Sequence, residues 1–240
     1  MTLRSTIATP EGKRRYVRRL FATIADRYDF ITRFLSFGRD RRWKRHAIAL
    51  AGITPEDRVL DVACGTGDLL FEAAARARRA TGLDVTFRMV QLAGLRARRH
   101  PAGTRVGLLT ADMLALPFGQ ERFDVVTTGY GLRNVPDLSL AVREIHRVLA
   151  PGGRFVSLDF NRPEHPVVRA AYHGYLTVVG SALGLALHGD PDTYRYIPES
   201  IRNYAGARGV AALLEREGFT GVRVVRVLGG LMAIHVARKR

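Results

Sequence analysis

Short apolar runs alternate with segments of helical periodicity through the middle of this chain. Five runs have the length and composition of buried strands, at 59–63, 80–84, 106–110, 123–128 and 154–160. Between them, apolar residues recur every three or four positions, which predicts helices from residue 68 to about 79, at 86–98 and at 139–149. Strands that alternate with helices at this spacing indicate a mostly parallel sheet covered on both faces.

The two ends of the chain depart from this alternation. A helix is expected from about 11 to 25, and a basic helix with the only tryptophan, Trp43, follows. Residues 167–187 are largely apolar but hold an arginine, a histidine and three glycines, so we expect a lid of short helices over the strand ends rather than a transmembrane helix. A helix to about residue 217 precedes strands at 222–228 and 232–238. Only two glycines join these strands, which predicts an antiparallel hairpin.

We therefore expect one α/β domain with a Rossmann-like, mostly parallel seven-stranded sheet. A chain of 240 residues can form one domain with a substantial core, and we find no internal repeat. We divide it into an N-terminal helical lid (1–53), a ligand-binding core (54–161), a lid insertion (162–206) and a C-terminal helix and hairpin (207–240).

The loop after the first strand, Asp61-Val-Ala-Cys-Gly-Thr-Gly-Asp68, is the most informative stretch of the chain. Two glycines between a strand and a helix fit a backbone that lies against a nucleotide-sized ligand. A dinucleotide loop has a third small residue, but Leu70 stands at that position here. The carboxylates of Asp61 and Asp68 would repel a pyrophosphate but suit a ligand with an ammonium and a sulfonium. S-adenosylmethionine is such a ligand; an NAD site and a structural turn are the alternatives.

Polar residues also follow the other strands. Asp84 ends the second strand, where a carboxylate can accept hydrogen bonds from both hydroxyls of a ribose, or serve as the N-terminal residue of the next helix. Asp112 and Met113 follow the third strand, and Gly129 begins a loop after the fourth. Ligands of such sheets bind at the carboxyl ends of the strands, so these residues are predicted to share one site. Asp112 could instead form an Asx turn.

Charge and cysteine content limit the partners and the compartment. The net charge is +16 and the pI is about 11.1, which suits an anionic membrane or a nucleic acid. Nearly all of this charge is arginine, which is also typical of a GC-rich genome. The single cysteine, Cys64, excludes a disulfide framework and indicates a reducing compartment, and the start of the chain has no signal-peptide pattern. No histidine or carboxylate cluster has metal-ligand spacing, so we expect no metal.

Five segments together resemble the quinone-biosynthesis C-methyltransferases, a group of class I S-adenosylmethionine-dependent methyltransferases. They span nearly the whole chain, and the third and fifth are far more specific than the glycine loop. The segments are Tyr28-Asp29 with Leu35-Ser36 and Trp43; Cys64-Gly-Thr-Gly-Asp68; Gly131-Leu-Arg-Asn-Val-Pro-Asp137; Arg147-Val-Leu-Ala-Pro-Gly-Gly153; and Tyr194-Arg-Tyr-Ile-Pro-Glu-Ser-Ile201.

The resemblance implies an enzyme that methylates the ring of an isoprenoid quinol, with demethylmenaquinol favoured over a ubiquinol precursor. Arg133 is expected to stabilise the developing phenolate and Asn134 to orient the quinol or a water, unless the pair only forms a structural turn. The other candidate site residues fall into three groups. They are Asp61, Gly65, Thr66, Gly67, Asp84, Asp112, Met113 and Gly129 around the donor; Tyr28 beside the catalytic pair; and Tyr194, Tyr196 and His235 on the substrate side.

Three alternatives remain open, together with the partners. A methyltransferase for another small phenolic or apolar acceptor would use the same site. A nucleic-acid methyltransferase lacks its expected Asp/Asn-Pro-Pro-aromatic loop, and Cys64 is committed to the donor loop. A non-catalytic donor-binding protein would show no turnover. We expect a cytoplasmic protein, peripheral on the inner face of an anionic membrane, in which 167–187 covers the quinol head and guides its tail; a homo-oligomer is compatible with this.

Overall fold

Seven strands form one sheet at the centre of the computed structural model, which describes residues 3–240. The strand order is β3-β2-β1-β4-β5-β7-β6, and β7 runs antiparallel to both of its neighbours while the other pairs are parallel. The strands are β1 (Arg58–Val62), β2 (Arg79–Asp84), β3 (Val106–Thr110), β4 (Phe123–Gly129), β5 (Leu149–Phe160), β6 (Phe219–Val227) and β7 (Met232–Lys239). The predicted fold class and the terminal antiparallel hairpin are confirmed.

Helices cover both faces of the sheet and its carboxyl edge. They are α1 (Leu3–Thr6), α2 (Pro10–Ile24), α3 (Tyr28–Leu35), α4 (Asp40–Ala51), α5 (Asp68–Ala74), α6 (Phe87–Ala97), α7 (Leu138–Val148), α8 (Pro166–His188), α9 (Tyr196–Arg202) and α10 (Gly206–Arg216). Alternate residues of β1 face opposite layers: Leu60 and Val62 join the core under α7 and α10, and Val59 joins the core under α4 and α5. The remaining helices, α2, α3, α8 and α9, pack together in a third apolar cluster.

Three boundaries differ from the sequence prediction for local reasons. Helix α5 ends at Ala74, because the chain turns there to enter β2, and Arg78 donates its amide to the Asp57 carbonyl (3.0 Å). Strand β5 already begins at Leu149, and its register against β4 shifts between Phe123 and Val125, where a bulge takes up the residues before Arg154. Strand β6 begins at Phe219 and is irregular against β7 over its first residues.

The predicted lid of short helices is wrong: α8 is one continuous helix of 23 residues. Its glycines do not interrupt it but allow neighbouring backbone to approach. A Cβ on Gly180 would lie 3.3 Å from Tyr194, and one on Gly184 would lie 2.4 Å from the Asp190 carbonyl oxygen. By length and composition α8 could cross a membrane, with a mean hydropathy of 1.2. Its glycine face packs on the following segment, which places α8 against the protein along one side only.

Candidate active site

The glycine loop bends sharply between β1 and α5. Gly65 (φ 54°) and Gly67 (φ 94°) both adopt the left-handed region that favours glycine. A Cβ on Gly67 would lie 2.5 Å from the Phe71 ring, so this position has no room for a side chain. Asp84, at the end of β2, accepts the amide of Gly65 (2.9 Å) and that of Thr86 (2.8 Å). The carboxylate therefore ties the loop to the neighbouring strand.

A narrow cavity lies at the carboxyl ends of β1, β2 and β4. Its volume is about 80 Å³, and the predicted donor residues Gly65, Asp84, Asp112, Met113 and Gly129 all line it. An adjoining space of about 20 Å³ is lined by Asp61 and Thr66, among others. The structure thus brings the predicted donor residues to one place. Gly67 lines neither space and instead forms the N-terminal cap of α5.

The two carboxylates of the loop differ in charge balance. Asp68 bonds Lys44 (2.8 Å) and Arg96, and these cations outweigh burial and hold the pKa of Asp68 at about 2. Asp61 accepts the Thr127 hydroxyl (2.7 Å) on one oxygen, and its other oxygen has no partner among residues 3–240. Burial raises the pKa of Asp61 to about 7. Asp61, not Asp68, therefore presents an unpaired buried acceptor to a cationic ligand.

Helix α2 lies over the donor cavity. Arg14 forms an ion pair with Asp112 (2.6 Å), and Lys13 donates to the carbonyls of Arg133 (3.0 Å) and Val135 (2.6 Å). Burial, with the nearby Arg133, lowers the pKa of Lys13 to about 8. Sequence reasoning missed both residues, which lie in a basic run without any feature that marks Lys13 and Arg14 among the other cations.

A second cavity, of about 470 Å³, adjoins the donor cavity. Its walls are almost entirely apolar or aromatic and come mainly from α2, α3, α8 and α9. Phe21, Tyr28 and Tyr130 line both cavities and so form the wall between them. The hydroxyl of Tyr28 has no hydrogen-bond partner among the described residues, and burial raises its pKa to about 12, so Tyr28 is a neutral donor at physiological pH.

Arg133 and Asn134 stand at the junction of the two cavities. Arg133 lines the apolar cavity and Asn134 lines the donor cavity. The Oδ1 atom of Asn134 accepts Nη1 of Arg133 (2.9 Å) and the Tyr196 hydroxyl (3.0 Å). Arg133 also pairs with the buried Asp159, at 3.2 Å from Nε to Oδ1, and its guanidinium lies 4.8 Å from the centre of the Phe160 ring. The pair is therefore held in a fixed orientation by residues of β5 and α9.

A buried charge network behind this wall was not predicted from the sequence. The Tyr130 hydroxyl donates to Asp40 (2.5 Å), and Lys44 pairs with Asp40 (2.6 Å) as well as with Asp68. Burial raises the pKa of Tyr130 well above its usual value. The i,i+4 spacing of Asp40 and Lys44 in the sequence is the one signal that could have indicated this pair.

The three residues predicted on the substrate side divide. Tyr194 and Tyr196 are buried and line the apolar cavity, and the Tyr194 hydroxyl lies 2.9 Å from Nε2 of His188. His235 lines neither cavity. Its ring nitrogens lie 3.0 Å from the Ser157 hydroxyl and 3.0 Å from the Ala207 carbonyl oxygen, so His235 is a core residue of β7 and we leave it out of the site. Within residues 3–240, no group of three or more His, Cys, Asp or Glu is arranged to hold a metal ion.

The sequence matches one family over nearly its whole length. The ubiE/COQ5 methyltransferase family matches residues 9–239. The chain belongs to this family. The demethylmenaquinone methyltransferase of Thermus thermophilus is 41% identical over 217 residues, which are 90% of this chain and 98% of that protein. The ubiquinone/menaquinone biosynthesis C-methyltransferase UbiE of Geotalea uraniireducens is 34% identical, over 96% of this chain and 98% of its own.

Solved structures confirm the fold at much lower identity. A possible histamine N-methyltransferase from Thermotoga maritima has a TM-score of 0.67 at 18% identity and covers 93% of this chain and 100% of its own. A SAM-dependent methyltransferase from Aquifex aeolicus has a TM-score of 0.59 at 17% identity, covering 82% of this chain and 89% of its own. The family match confirms the expected methyltransferase of the quinone-biosynthesis type.

Proposed function

We propose that this ubiE/COQ5 methyltransferase moves the methyl group of S-adenosylmethionine to a ring carbon of an isoprenoid quinol, with demethylmenaquinol as the favoured acceptor. The observation that carries the proposal is the shared wall of Phe21, Tyr28 and Tyr130 between a polar, acid-lined cavity and a large apolar one. The higher identity to proteins named demethylmenaquinone methyltransferase (41% and 37%) than to the Geotalea UbiE (34%) supports demethylmenaquinol.

The polar cavity has the acceptors that the methyl donor requires. Each oxygen of Asp84 accepts one backbone amide and keeps a second lone pair for a ribose hydroxyl. Asp112 and Met113 offer polar and apolar contact to the adenine, and the unpaired oxygen of Asp61 suits the ammonium group. Ligands of this size occupy about 300–1,000 Å³, far more than the cavity of about 80 Å³ seen here, so α2 moves aside when the donor enters. The Arg14–Asp112 ion pair breaks in that step.

The apolar cavity fits the acceptor. A volume of about 470 Å³ suits a fused aromatic ring and the first part of an isoprenoid tail. Arg133 is the charged residue of its lining, so the ring oxygens have one cationic neighbour in an apolar surrounding. The interaction between an oxyanion and a guanidinium is stronger there than in water.

The chemistry follows from these positions. The acceptor must be a quinol, because the ring of an oxidised quinone is electron-poor and a weak nucleophile. Loss of a phenolic proton places electron density on the adjacent ring carbon, which displaces the methyl group from the sulfonium as a neutral thioether leaves. Arg133 stabilises the phenolate and stays protonated itself. Asn134, fixed by Arg133 and Tyr196, orients the quinol or a water that carries the proton away, and the neutral Tyr28 donates to a ring oxygen.

We place the protein in the cytoplasm with peripheral contact to an anionic membrane, in keeping with its net charge of +16 and its lipophilic acceptor. In this arrangement α8 covers the quinol head, since Val168, Ala171 and Tyr172 of its first turns line the apolar cavity, and the tail leaves along the same helix.

Turnover with matched redox forms tests the proposal. Purified protein is incubated anaerobically with labelled donor and a panel of quinols, each with its oxidised quinone, and products are identified by mass. We expect methylation of the quinols and essentially none of the quinones. Arg133→Lys, which keeps the charge but loses the planar contact with Asn134, should lower kcat more than it raises KM for the donor. Equal rates with quinone and quinol would refute the phenolate mechanism.

A further inference from the structure

The mouth of the apolar cavity opens through an apolar surface. Four residues both line the cavity and are exposed: Phe37 (74%), Val167 (69%), Val168 (46%) and Tyr175 (37%). The rings of Phe37 and Tyr175 stack with their centres 6.3 Å apart, so they join the end of α3 to α8 at this opening. A rim of this composition leaves apolar side chains in water, which in a soluble protein marks an interaction site.

The apolar surface continues along both helices. On α3, Phe30 (55% exposed) and Phe34 (51%) lie on the same face as Phe37 at i, i+4 and i+7. On α8, the exposed residues 171, 175, 178, 182 and 185 recur every three or four positions and are all apolar or aromatic. We call the exposed residues Phe30, Phe34, Phe37, Val167, Val168, Tyr175, Val178 and Leu185 the apolar rim.

Positive charge surrounds the apolar rim. Arg33, Arg39, Arg41 and Arg42 are exposed next to its aromatic residues, and none of them forms an ion pair with a residue in 3–240. Within α3 and α8, the one carboxylate is Asp29, and it accepts the hydroxyl of Thr66 (2.6 Å). The acids beyond the C-terminal end of α8 are Asp190 and Asp192, and Asp192 pairs with Arg195 (2.7 Å).

We propose that the apolar rim inserts into the surface of an anionic lipid bilayer, so that the cavity mouth opens directly into the acyl chains. Apolar residues flanked by free arginines are the composition of interfacial helices that bind anionic lipid. The inference rests on the proposed function, because it supplies a route by which a quinol tail reaches the cavity without crossing water.

Two other occupants fit the charges less well. A second copy of the chain in a two-fold dimer would bring its own arginine cluster against the first one and would close the cavity mouth. A transmembrane α8 would have to give up the contacts of Gly180 with Tyr194 and of Gly184 with Pro191, which hold one side of the helix against the protein. A bilayer surface satisfies the apolar stripe and the arginines and leaves those contacts in place.

Vesicle binding by the whole protein tests this surface. Flotation is measured with vesicles of phosphatidylcholine, with and without phosphatidylglycerol. We expect binding only to the anionic vesicles, and weaker binding as salt is added. The pair Phe30→Ser with Phe34→Ser, which lies outside both cavity linings, should weaken binding at least about tenfold through lost apolar burial. The matched pair Phe87→Ser with Leu95→Ser removes residues exposed to 63% and 52% on α6 and should bind as the unchanged protein does.

The role of charge has its own matched pairs. Arg41→Gln with Arg42→Gln removes two cations beside the apolar rim, and Arg98→Gln with Arg99→Gln removes two exposed cations elsewhere. Only the first pair should lower binding. Equal losses for both pairs, together with no effect of the phenylalanine pair, would show unspecific attraction by net charge and overturn the proposal. A stable dimer that Phe30→Ser with Phe34→Ser dissociates, without vesicle binding, would assign the surface to a second copy.

Turnover separates this inference from the proposed function. With a tailless quinol in solution, the phenylalanine pair should keep the rate of the unchanged protein, whereas with a long-tailed quinol in vesicles its rate should fall at least about tenfold. Full activity of that pair on vesicle-bound quinol would refute the docking surface and leave the methyl transfer standing. Vesicle binding without methylation of any quinol would refute the proposed function instead.

Discussion

Replacing Asp84 with asparagine should weaken donor binding by about 1.5–3 kcal/mol, or roughly 10- to 150-fold in Kd. Asp84 Oδ1 accepts Thr86 N–H at 2.8 Å and Oδ2 accepts Gly65 N–H at 2.9 Å. Asparagine keeps one of these acceptors and points an amide N–H₂ at the other backbone N–H. The donor therefore loses one charge-assisted hydrogen bond to its ribose, which is the basis of the estimate.

The same substitution should also lower the free energy of unfolding. One backbone N–H is left buried without a partner, at a cost of about 1–3 kcal/mol. Burial raises the pKa of Asp84, which shows that the carboxylate is itself disfavoured in its site. Removing the charge recovers part of the loss, so we expect a value near the lower end of that range.

Calorimetric titration with S-adenosylmethionine and with its demethylated product measures the affinity, and urea unfolding measures the stability. Asp57→Asn is the matched control, because Asp57 is equally buried, accepts the Thr54 amide (2.7 Å) and pairs with Arg154 (2.5 Å), and lines neither cavity. It should lose stability and keep donor affinity. The assignment of Asp84 to the ribose fails if folded Asp84→Asn binds the donor as tightly as the unchanged protein, or if Asp57→Asn loses as much affinity.

Three further predictions concern charge and the acceptor cavity. Since the pKa of Asp61 is raised to about 7, its carboxyl is protonated below that pH, so donor affinity should rise between about pH 6 and pH 8; a flat profile, or the same rise in Asp61→Asn, would contradict this. Lys44→Met leaves Asp40 and Asp68 without their shared cation and should cost about 3–5 kcal/mol in urea unfolding; a loss under about 1 kcal/mol would show that the network is not coupled. Trp43, the only tryptophan, lines the apolar cavity, so quinone binding should quench intrinsic fluorescence, and quenching of equal size by a polar non-ligand would argue against binding there.

The raised pKa of Asp61 also affects the protein without ligand. The folded state holds this proton up to about pH 7, whereas the unfolded chain releases it near pH 4. The contribution of Asp61 to stability is therefore fully present below the unfolded pKa and is lost as the pH rises toward the folded one. Unfolding experiments at low and at neutral pH on Asp61→Asn should show a smaller dependence over this range.

Local rules predicted the elements around the donor. A strand has a period of two and a helix of 3.6 residues, and parallel strands bring their carboxyl ends together, so Gly65, Asp84 and Asp112 could be placed at one edge without a structure. Arg133 and Asn134 came from the resemblance to a family, and the structure places them between the two cavities. Periodicity gave no orientation for either side chain.

The parts that sequence could not predict depend on contacts between distant segments. The glycines of α8 suggested breaks, but Gly180 serves close packing against Tyr194, which no local pattern shows. Asp68 looked like a ligand of the donor until Lys44, from a helix before the sheet, was seen to pair with it. His235 could have faced either side of β7, and it faces Ser157 and the Ala207 carbonyl.

Few residues of the apolar cavity come from the sheet. Of its lining residues, only Phe160 and Met232 belong to strands, while the rest come from the N-terminal helices, from loops and from the segment that contains α8 and α9. Evolution can therefore alter the length and composition of that segment without disturbing strand pairing or the glycine loop. A change of acceptor within this family would then require exchange of surface helices rather than a new fold. For protein engineers, residues of α8 such as Ala171 and Leu176 are the first positions to vary when a quinol with a different ring or tail is wanted.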